Sequence, residues 1–147
     1  RLSALNSEIT IRTYPIRLTE ENAQEIISQY DIVVDGCDNF STRYLINDIC
    51  AEMGKVYVYG AICGFEGQVS VFHYGEEKKS YRDLYPDEEE MRRMPPPPKG
   101  VMGITPAVTG SIEATEVLKI ICGFGEVLSG KLWTIDLRTL QSNKFSL

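Results

Sequence analysis

The residues of this sequence best suited to chemistry cluster in the segment DGCDN, residues 35–39. This segment follows the apolar run DIVV, and ligands of open α/β sheets bind beyond the carboxyl ends of such strands. Asp38 and Asn39 are therefore positioned where a ligand would bind. Arg43 and Asn47 lie four residues apart, so they share one face of the helix expected to follow.

Spacing alone leaves two interpretations of this segment open. The carboxylate of Asp38 can hold a Mg²⁺ ion that bridges phosphate oxygens, and the amide of Asn39 can hydrogen-bond a nucleotide. Asp and Asn are also favoured N-caps, so either residue could instead serve only to begin the helix. The sequence contains neither G-x-G-x-x-G after a strand nor G-x-x-x-x-G-K-[ST], so it carries no phosphate-binding loop of those types.

An alternation of strands and helices is predicted to position this segment. The alternation of apolar and polar residues at 9–13 predicts a short strand, TEENAQEIISQY predicts a helix capped by Thr19, and DIVVDG predicts a buried parallel strand. A helix ending at Gly54 follows, and then two strands in VYVYGAIC and QVSVFHY, separated by the turn GFEG. KLWTIDL and NKFSL predict two final strands. This order favours an α/β domain with a mixed sheet.

The segment TPAVTGSIEATEVLKIICG predicts the strongest helix, with Thr105 as its N-cap and Gly123 at its end. Small residues recur near its start, and larger apolar residues continue the same stripe. The stripe consists of Ala107, Gly110, Ser111, Ala114, Leu118 and Ile121. We expect it to pack into the core, with room for another backbone to approach closely.

Residues 75–103 differ in character from the rest of the chain. They carry EEKK, DEEE and four prolines in series, Pro95–Pro98, which favour an extended path. A loop of this length is uncommon in a compact domain unless it has a function. The stretch is therefore either a solvated linker or a segment that crosses over a site. For Lys99, next to the prolines, an exposed position is expected.

Length, charge and cysteines limit the class of protein. The 147 residues suffice for one domain, and 15 basic against 21 acidic residues argue against nucleic-acid binding. No apolar run approaches the roughly 18 residues of a membrane span, so we expect no membrane segment. The four cysteines form no C-x-x-C pair and the chain has one histidine, which predicts reduced thiols, no zinc and a cytoplasmic location.

Three stretches resemble, in family order, the ThiF/MoeB/HesA family of bacterial relatives of ubiquitin-activating enzymes. They are DIVVDGCDNFSTRYLIND, GAICGFEGQVSVF and KGVMGITPAVTGSIEATEVLKIICGFGEVLSGKLWTIDLRT, and they cover most of residues 30–139. The resemblance implies a Rossmann-like mixed sheet with flanking helices. Residues 1–147 would be a partial adenylation domain, its C-terminal half, with a crossing loop at 76–103. The implied reaction uses ATP and Mg²⁺ to adenylate the C-terminal Gly-Gly carboxylate of a ubiquitin-like sulfur carrier protein.

The family motif D-x-x-D-N matches residues 35–39 and assigns roles by position. The resemblance implies that Asp38 is the catalytic carboxylate on the Mg²⁺ side of the nucleotide. Cys37 and Asn39 would line the nucleotide site beside it, and Arg43 and Asn47 would contribute from the next helix. Residues 56–74 would form part of the face that docks the carrier.

Differences from the family refine these expectations. The sequence reads SYRD at 80–83, where many members have a C-x-x-C zinc pair, so no zinc is expected. The stretch SYRDLYPDEEE resembles thiamine-pathway members, which favours a ThiS-like carrier, with a MoaD-like carrier of the molybdopterin pathway as the alternative. We expect a homodimer, and no activity from these residues alone. A non-catalytic carrier-docking or dimer partner and an oxidoreductase remain as other classes.

Overall fold

The centre of the molecule is a five-stranded mixed sheet. The computed structural model describes residues 1–95 and 100–147. The strands, in their order across the sheet, are β1 (Ile32–Val34), β2 (Val56–Cys63), β3 (Glu66–Phe72), β4 (Lys131–Asp136) and β5 (Gln141–Ser146). β1 pairs in parallel with β2, and every later pair is antiparallel. The predicted α/β class with a mixed sheet is confirmed.

Helices cover both faces of this sheet. They are α1 (Leu2–Leu5), α2 (Glu20–Ser28), α3 (Phe40–Met53), α4 (Tyr81–Leu84), α5 (Glu88–Arg93) and α6 (Ile104–Cys122). Residues of α2, α3 and α4 share one core with β2 and β3, whereas α6 packs against the opposite face of the same two strands. Each described helix is too short or too polar to traverse a lipid bilayer.

Helix α3 begins and ends where the sequence predicts. The side chain of Asn39 accepts a hydrogen bond from the backbone N–H of Thr42 at 2.9 Å, which caps the first turn. Gly54 ends the helix in the left-handed conformation, with φ of 62°, which glycine adopts without strain. The start of α3 therefore fixes the direction in which the DGCDN segment leaves β1.

Aromatic rings in edge-to-face and tilted contact tie the predicted crossing loop to the sheet. Tyr81 is fully buried, and its ring centroid lies 4.9 Å from that of Tyr44 and 5.2 Å from that of Tyr59. Its stretch forms α4 and α5 rather than a solvated linker. Of the proline run and Lys99, only Pro95 lies within the described residues.

Helix α6 is oriented differently from the prediction. Gly103 is its N-cap, and Thr105 is instead buried and donates a hydrogen bond from Oγ1 to the carbonyl of Gly64 at 2.9 Å. The small-residue stripe faces outward and ends in exposed Leu118 and Ile121. The expectation that this stripe packs into the core is wrong, because other residues of α6 contact the sheet. They include the buried polar residues Thr109 and Glu113 together with the partly buried Ile112 and Val117.

Two strand predictions also need correction. Residues 9–13 form no strand and are exposed, because no other described strand pairs with them. The strand β1 is less buried than expected, with Val34 49% exposed, since β1 is an edge of the described sheet. The parallel pairing of β1 itself is as predicted.

Candidate functional site

A cleft of about 1060 Å³ opens beyond the carboxyl end of β1. Its walls are the DGCDN segment, strands β2 and β3 with the turn between them, the N-terminal half of α6, and the ends of β4 and β5. The described part of the predicted crossing loop, residues 76–95 and 100–103, also contributes to the walls and is called the crossing segment below. Of the residues predicted for the site, those at 37, 38, 39 and 43 line this cleft. The volume is in the range of pockets that bind cofactor-sized ligands.

A buried ion pair holds the loop that bears the predicted site. The Asp35 carboxylate accepts hydrogen bonds from Arg43 Nε at 2.8 Å, the Tyr57 hydroxyl at 3.0 Å and the Cys37 backbone N–H at 2.7 Å. Arg43 Nη2 donates to the carbonyls of Cys37 at 2.6 Å and Gly60 at 3.3 Å. The pair thus fastens the loop after β1 to both α3 and β2.

The charges of this pair stabilise one another. Burial lowers the pKa of the Arg43 guanidinium, but attraction by the Asp35 carboxylate outweighs that effect and the pKa is raised above its usual value. Arg43 therefore stays charged, and its hydrogen bonds to Asp35, Cys37 and Gly60 occupy Nε and Nη2. Its first role in the structure is to position the loop, and contact with a nucleotide stays a prediction.

The structure gives Asp38 and Asn39 different positions, which distinguishes the two interpretations that their spacing left open. Asn39 is the cap of α3. Asp38 is exposed in the cleft, and its Oδ1 accepts a hydrogen bond from Asn39 Nδ2 at 3.1 Å. Its carboxylate makes no other hydrogen bond within the described residues, so its oxygens remain available to a ligand.

Cys37 contributes a neutral thiol to the wall of the cleft. Burial, followed by repulsion from the Asp35 carboxylate, raises the pKa of the Cys37 thiol to about 12. A thiol with that pKa is a poor nucleophile at neutral pH, since the thiolate is the reactive form. Cys37 therefore contributes to the shape of the cleft wall and does not act as a covalent nucleophile.

Asn47 lies outside the cleft, although it shares a helix face with Arg43. It is buried, and its Oδ1 accepts a hydrogen bond from the Tyr81 backbone N–H at 2.8 Å and lies 3.0 Å from His73 Nε2. Its Nδ2 donates to Asp48 at 3.0 Å. Asn47 therefore anchors the crossing segment to α3, and this placement does not favour the predicted contact with a nucleotide.

Two residues of α6 that the sequence reading did not single out also line the cleft. Thr109 and Glu113 are buried, and within the described residues Thr109 Oγ1 and Glu113 Oε1 have no hydrogen-bond partner. Burial, and then repulsion from Asp35, raise the pKa of Glu113 to about 7, while Arg43 acts in the opposite direction. The sequence signal that could have identified these two residues is a glycine inside each of β2 and β3, at Gly60 and Gly67. A glycine within a strand often marks a place where another part of the protein approaches the strand closely.

The donor set of the cleft fits a magnesium ion that is shared with phosphate. The described residues contain no group of three or more His, Cys, Asp or Glu side chains that could hold a metal by themselves. Asp38 can supply one carboxylate ligand, and Mg²⁺ is commonly bound through one or two carboxylates together with substrate phosphates and water.

The SYRD segment, residues 80–83, forms the start of α4. The Asp83 carboxylate accepts a hydrogen bond from the Ser80 backbone N–H at 2.7 Å, and Ser80 Oγ accepts one from the Arg82 N–H at 3.0 Å. Arg82 contacts Asp48 of α3 through two hydrogen bonds, from Nε at 2.8 Å and Nη2 at 2.6 Å. These bonds hold α4 to α3.

The sequence matches one protein family and several curated relatives. Residues 1–147 match the ThiF family. The chain is 47% identical over 148 residues to a sulfur carrier protein adenylyltransferase from Thermus thermophilus, covering 92% of this chain and 52% of the relative. It is 45% identical over 145 residues to a probable molybdopterin-synthase adenylyltransferase from Pyropia yezoensis, covering 97% and 38%. The chain thus spans roughly two fifths to one half of the curated relatives it matches.

Solved structures share the fold at low sequence identity. A crystal structure of Escherichia coli MccB with ATP superposes with a TM-score of 0.73 and 19% identity, over 99% of this chain and 45% of that one. A crystal structure of PaaA gives a TM-score of 0.73 with 13% identity, over 99% and 52%. At these identities the likeness establishes the fold.

Proposed function

This chain belongs to the ThiF family, and on that premise we propose that it is part of an ATP-dependent adenylyltransferase that activates the C-terminal Gly-Gly carboxylate of a ubiquitin-like sulfur carrier protein. The names of its relatives, adenylyltransferases of sulfur carriers and of molybdopterin synthase, support this class of reaction. The observation that carries the proposal is Asp38, an acidic side chain in the cleft whose carboxylate the cap of α3 does not use.

Adenylation joins two anions, because the carrier carboxylate attacks the α-phosphate of ATP and pyrophosphate leaves. The protein must hold both reactants in line and place positive charge beside them. A Mg²⁺ ion bound with the triphosphate supplies part of that charge. The task of Asp38 is to hold the metal–nucleotide complex, and the Asp35–Arg43 pair keeps the Asp38 loop in position.

The crossing segment is suited to cover a peptide tail. Tyr85 and Met91, both from this segment, line the cleft opposite the sheet. Gln68 of β3 donates hydrogen bonds from Nε2 to the hydroxyls of Tyr59 at 2.8 Å and Tyr85 at 3.0 Å, which link the sheet to the segment. We place the tail of the carrier between these two layers, with residues 56–74 contributing to the docking face.

The wider assembly and pathway belong to the same proposal. The outward stripe of α6, with Leu118 53% exposed, is suited to pack against a second copy in a cytoplasmic homodimer. The carrier is a ThiS-like protein in the thiamine pathway or a MoaD-like protein in the molybdopterin pathway. The SYRDLYPDEEE stretch favours a ThiS-like carrier. A relative named as a molybdopterin-synthase adenylyltransferase supports a MoaD-like carrier as the alternative.

The test is ATP–pyrophosphate exchange by the full-length protein with purified ThiS-like and MoaD-like carriers of the same organism. We expect exchange with one carrier, none with that carrier lacking its last two residues, and none from residues 1–147 alone. Exchange with neither carrier would contradict the proposal. Carrier binding without exchange would identify a docking partner instead of an enzyme.

A further inference from the structure

One row of side chains crosses four strands on the floor of the cleft, and we call it the track. Its members, in order from β5 to β2, are Asn143, Thr134, Gln68 and Ala61, and each is paired with the next. Residues that are paired directly across neighbouring strands point to the same face of a sheet. All four line the cleft, so the track runs without interruption across the sheet.

The track lies on the face of the sheet that the crossing segment covers. Gln68 donates hydrogen bonds to the hydroxyls of Tyr59 and of Tyr85, and Tyr85 belongs to that segment. Ala61 belongs to the core that α3 and α4 share with β2, whereas α6 packs on the opposite face. The track is therefore the floor of a passage that Tyr85 and Met91 cover.

The inner end of the track lies beside the loop that carries Asp38. β1 runs parallel to β2, with Val34 paired with Val58, and the Asp35 N–H still donates to the Val58 carbonyl at 2.9 Å. Asp38 follows Val34 by four residues, and Ala61 follows Val58 by three. One step beyond β2, the track therefore reaches the Asp38 loop, and both line the same cleft.

The outer end of the track is open to solvent. Asn143 is exposed, as is every residue of β5, and β5 is an outer strand of the described sheet. A protein too large to enter the cleft can therefore lie at β5 and extend a segment of its chain along the track.

The length of the track fits a short extended peptide. Neighbouring strands lie about 4.8 Å apart, so the four steps from β5 to the loop after β1 span about 19 Å. An extended chain advances about 3.3 Å per residue, so about six residues cover this distance. A peptide of that length with its C-terminus at Asp38 would have its carboxylate beside the proposed nucleotide site.

The polar groups of the track suit a peptide backbone better than a phosphate chain. Thr134 offers a hydroxyl and Asn143 an amide, and neither side chain hydrogen-bonds another described residue. Together they supply the donors and acceptors that a peptide backbone requires. The adjacent row carries Glu66 and Asp136, and Arg138 pairs with both. A triphosphate here would lie against two carboxylates whose cation is already engaged.

We propose that the last residues of the carrier, about six, lie extended along the track, with Thr134 and Asn143 hydrogen-bonding their backbone. This inference rests on the proposed adenylation of a carrier protein. The Thr134 hydroxyl donates to a tail carbonyl, and the Asn143 amide binds the tail nearer the body of the carrier. Gln68 holds Tyr85 over the tail. The small side chain of Ala61 leaves room for the terminal Gly-Gly next to Asp38.

The experiment uses the full-length protein with whichever carrier supports exchange. Thr134→Val and Asn143→Leu remove the polar atoms with little change of size, and Ser142→Ala, on the opposite face of β5, is the matched control. We expect the KM for the carrier to rise about fivefold in each track variant, as for one lost hydrogen bond, with the KM for ATP within about twofold. Thr134→Ser, which keeps the hydroxyl, should recover most of the loss.

Two altered carriers test the length of the tail and the use of its backbone. Deleting the two residues before the terminal Gly-Gly shortens the reach of the tail by about 7 Å, and exchange should fall at least about tenfold. Replacing the same two residues by serine keeps the length and the backbone, and exchange should stay within about threefold of the unaltered carrier. Equal losses from both changes would indicate recognition of side chains and contradict backbone binding along the track.

The kinetic constants show which reactant the track binds. A raised KM for ATP in Thr134→Val or Asn143→Leu would assign these residues to the nucleotide and overturn the inference. An unchanged KM for the carrier in both variants would also overturn it, because the tail would then gain nothing from either polar group.

The outcome also separates this inference from the proposed function. If wild-type protein supports no exchange with either carrier, both fail together. If exchange occurs and the track variants behave as Ser142→Ala does, the inference alone fails. Should Asn143→Leu not fold, Thr134→Val and Thr134→Ser carry the test.

Discussion

Two buried carboxylates on one face of α6 lie in contrasting regions of the molecule. Glu116, where α6 meets the loop before β4, is 1% exposed and is satisfied by the Leu128 N–H and by Lys119. Glu113, one turn earlier, is buried in the wall of the cleft with Oε1 unpartnered among the described residues. Both carboxylates are thus buried, and their hydrogen-bond partners distinguish them.

The same contrast divides the DGCDN segment. Asp35 accepts three hydrogen bonds from within the domain, and Asn39 caps α3. Asp38, between them, accepts only from its neighbour Asn39 within the described residues. Within this segment Asp35 and Asn39 therefore build the scaffold, and the Asp38 carboxylate faces the cleft.

The largest expected effect on stability comes from breaking the buried Asp35–Arg43 ion pair, which belongs to the scaffold. Arg43→Met leaves the buried Asp35 carboxylate without its cation and the carbonyl of Cys37 without its donor. We expect the free energy of unfolding to fall by about 3–5 kcal/mol, as for other broken buried pairs. Urea denaturation of the full-length protein measures it, and a loss below about 1 kcal/mol would contradict a structural role.

A smaller effect separates the two carboxylates of α6. Glu116→Met leaves the Leu128 N–H unsatisfied, and we expect a loss of about 2 kcal/mol in the free energy of unfolding. Glu113→Met removes a carboxylate whose Oε1 has no described partner, so it should cost less than Glu116→Met under the same conditions. Equal losses for both variants would remove the distinction between the two residues.

The pH dependence of stability gives the subtlest effect. The pKa of Glu113 is raised to about 7 from its ordinary 4.5, so the folded protein binds a proton more tightly than the unfolded chain. Its contribution to stability is complete below pH 4.5 and is lost as the pH rises to about 7. Glu113→Gln should therefore gain stability relative to wild type between pH 5 and pH 8 in denaturation curves. A difference that stays constant with pH would contradict this environment for Glu113.

Local signals in the sequence were sufficient for much of the site. Helix α3 depends on neighbouring residues, its cap at Asn39 and its end at Gly54, and both act within one turn of the chain. The position of Asp38 follows from the order of strand, loop and helix. These features needed no knowledge of distant contacts.

The orientation of α6 and the place of Asn47 depend on contacts distant in the sequence. The small-residue stripe of α6 has the periodicity of a core face, but Gly60 and Gly67 give the polar face its close fit to the sheet. Asn47 shares a face with Arg43 but lies about 6 Å further along α3, where it meets Tyr81 instead of the cleft. Helical spacing alone identifies neither the strand glycines that α6 contacts nor the Tyr81 that Asn47 contacts.

The central claim is that Asp38 serves the ligand and not the fold. Its most direct test measures ATP–pyrophosphate exchange and urea denaturation on the same full-length Asp38→Ala protein, with Asp31→Ala, an exposed acid at the other end of β1, as the control. The account predicts that Asp38→Ala loses about 100-fold or more of the exchange rate, keeps its unfolding free energy within about 1 kcal/mol of wild type, and that Asp31→Ala retains both. Normal exchange per folded molecule in Asp38→Ala, together with lost stability, would contradict it.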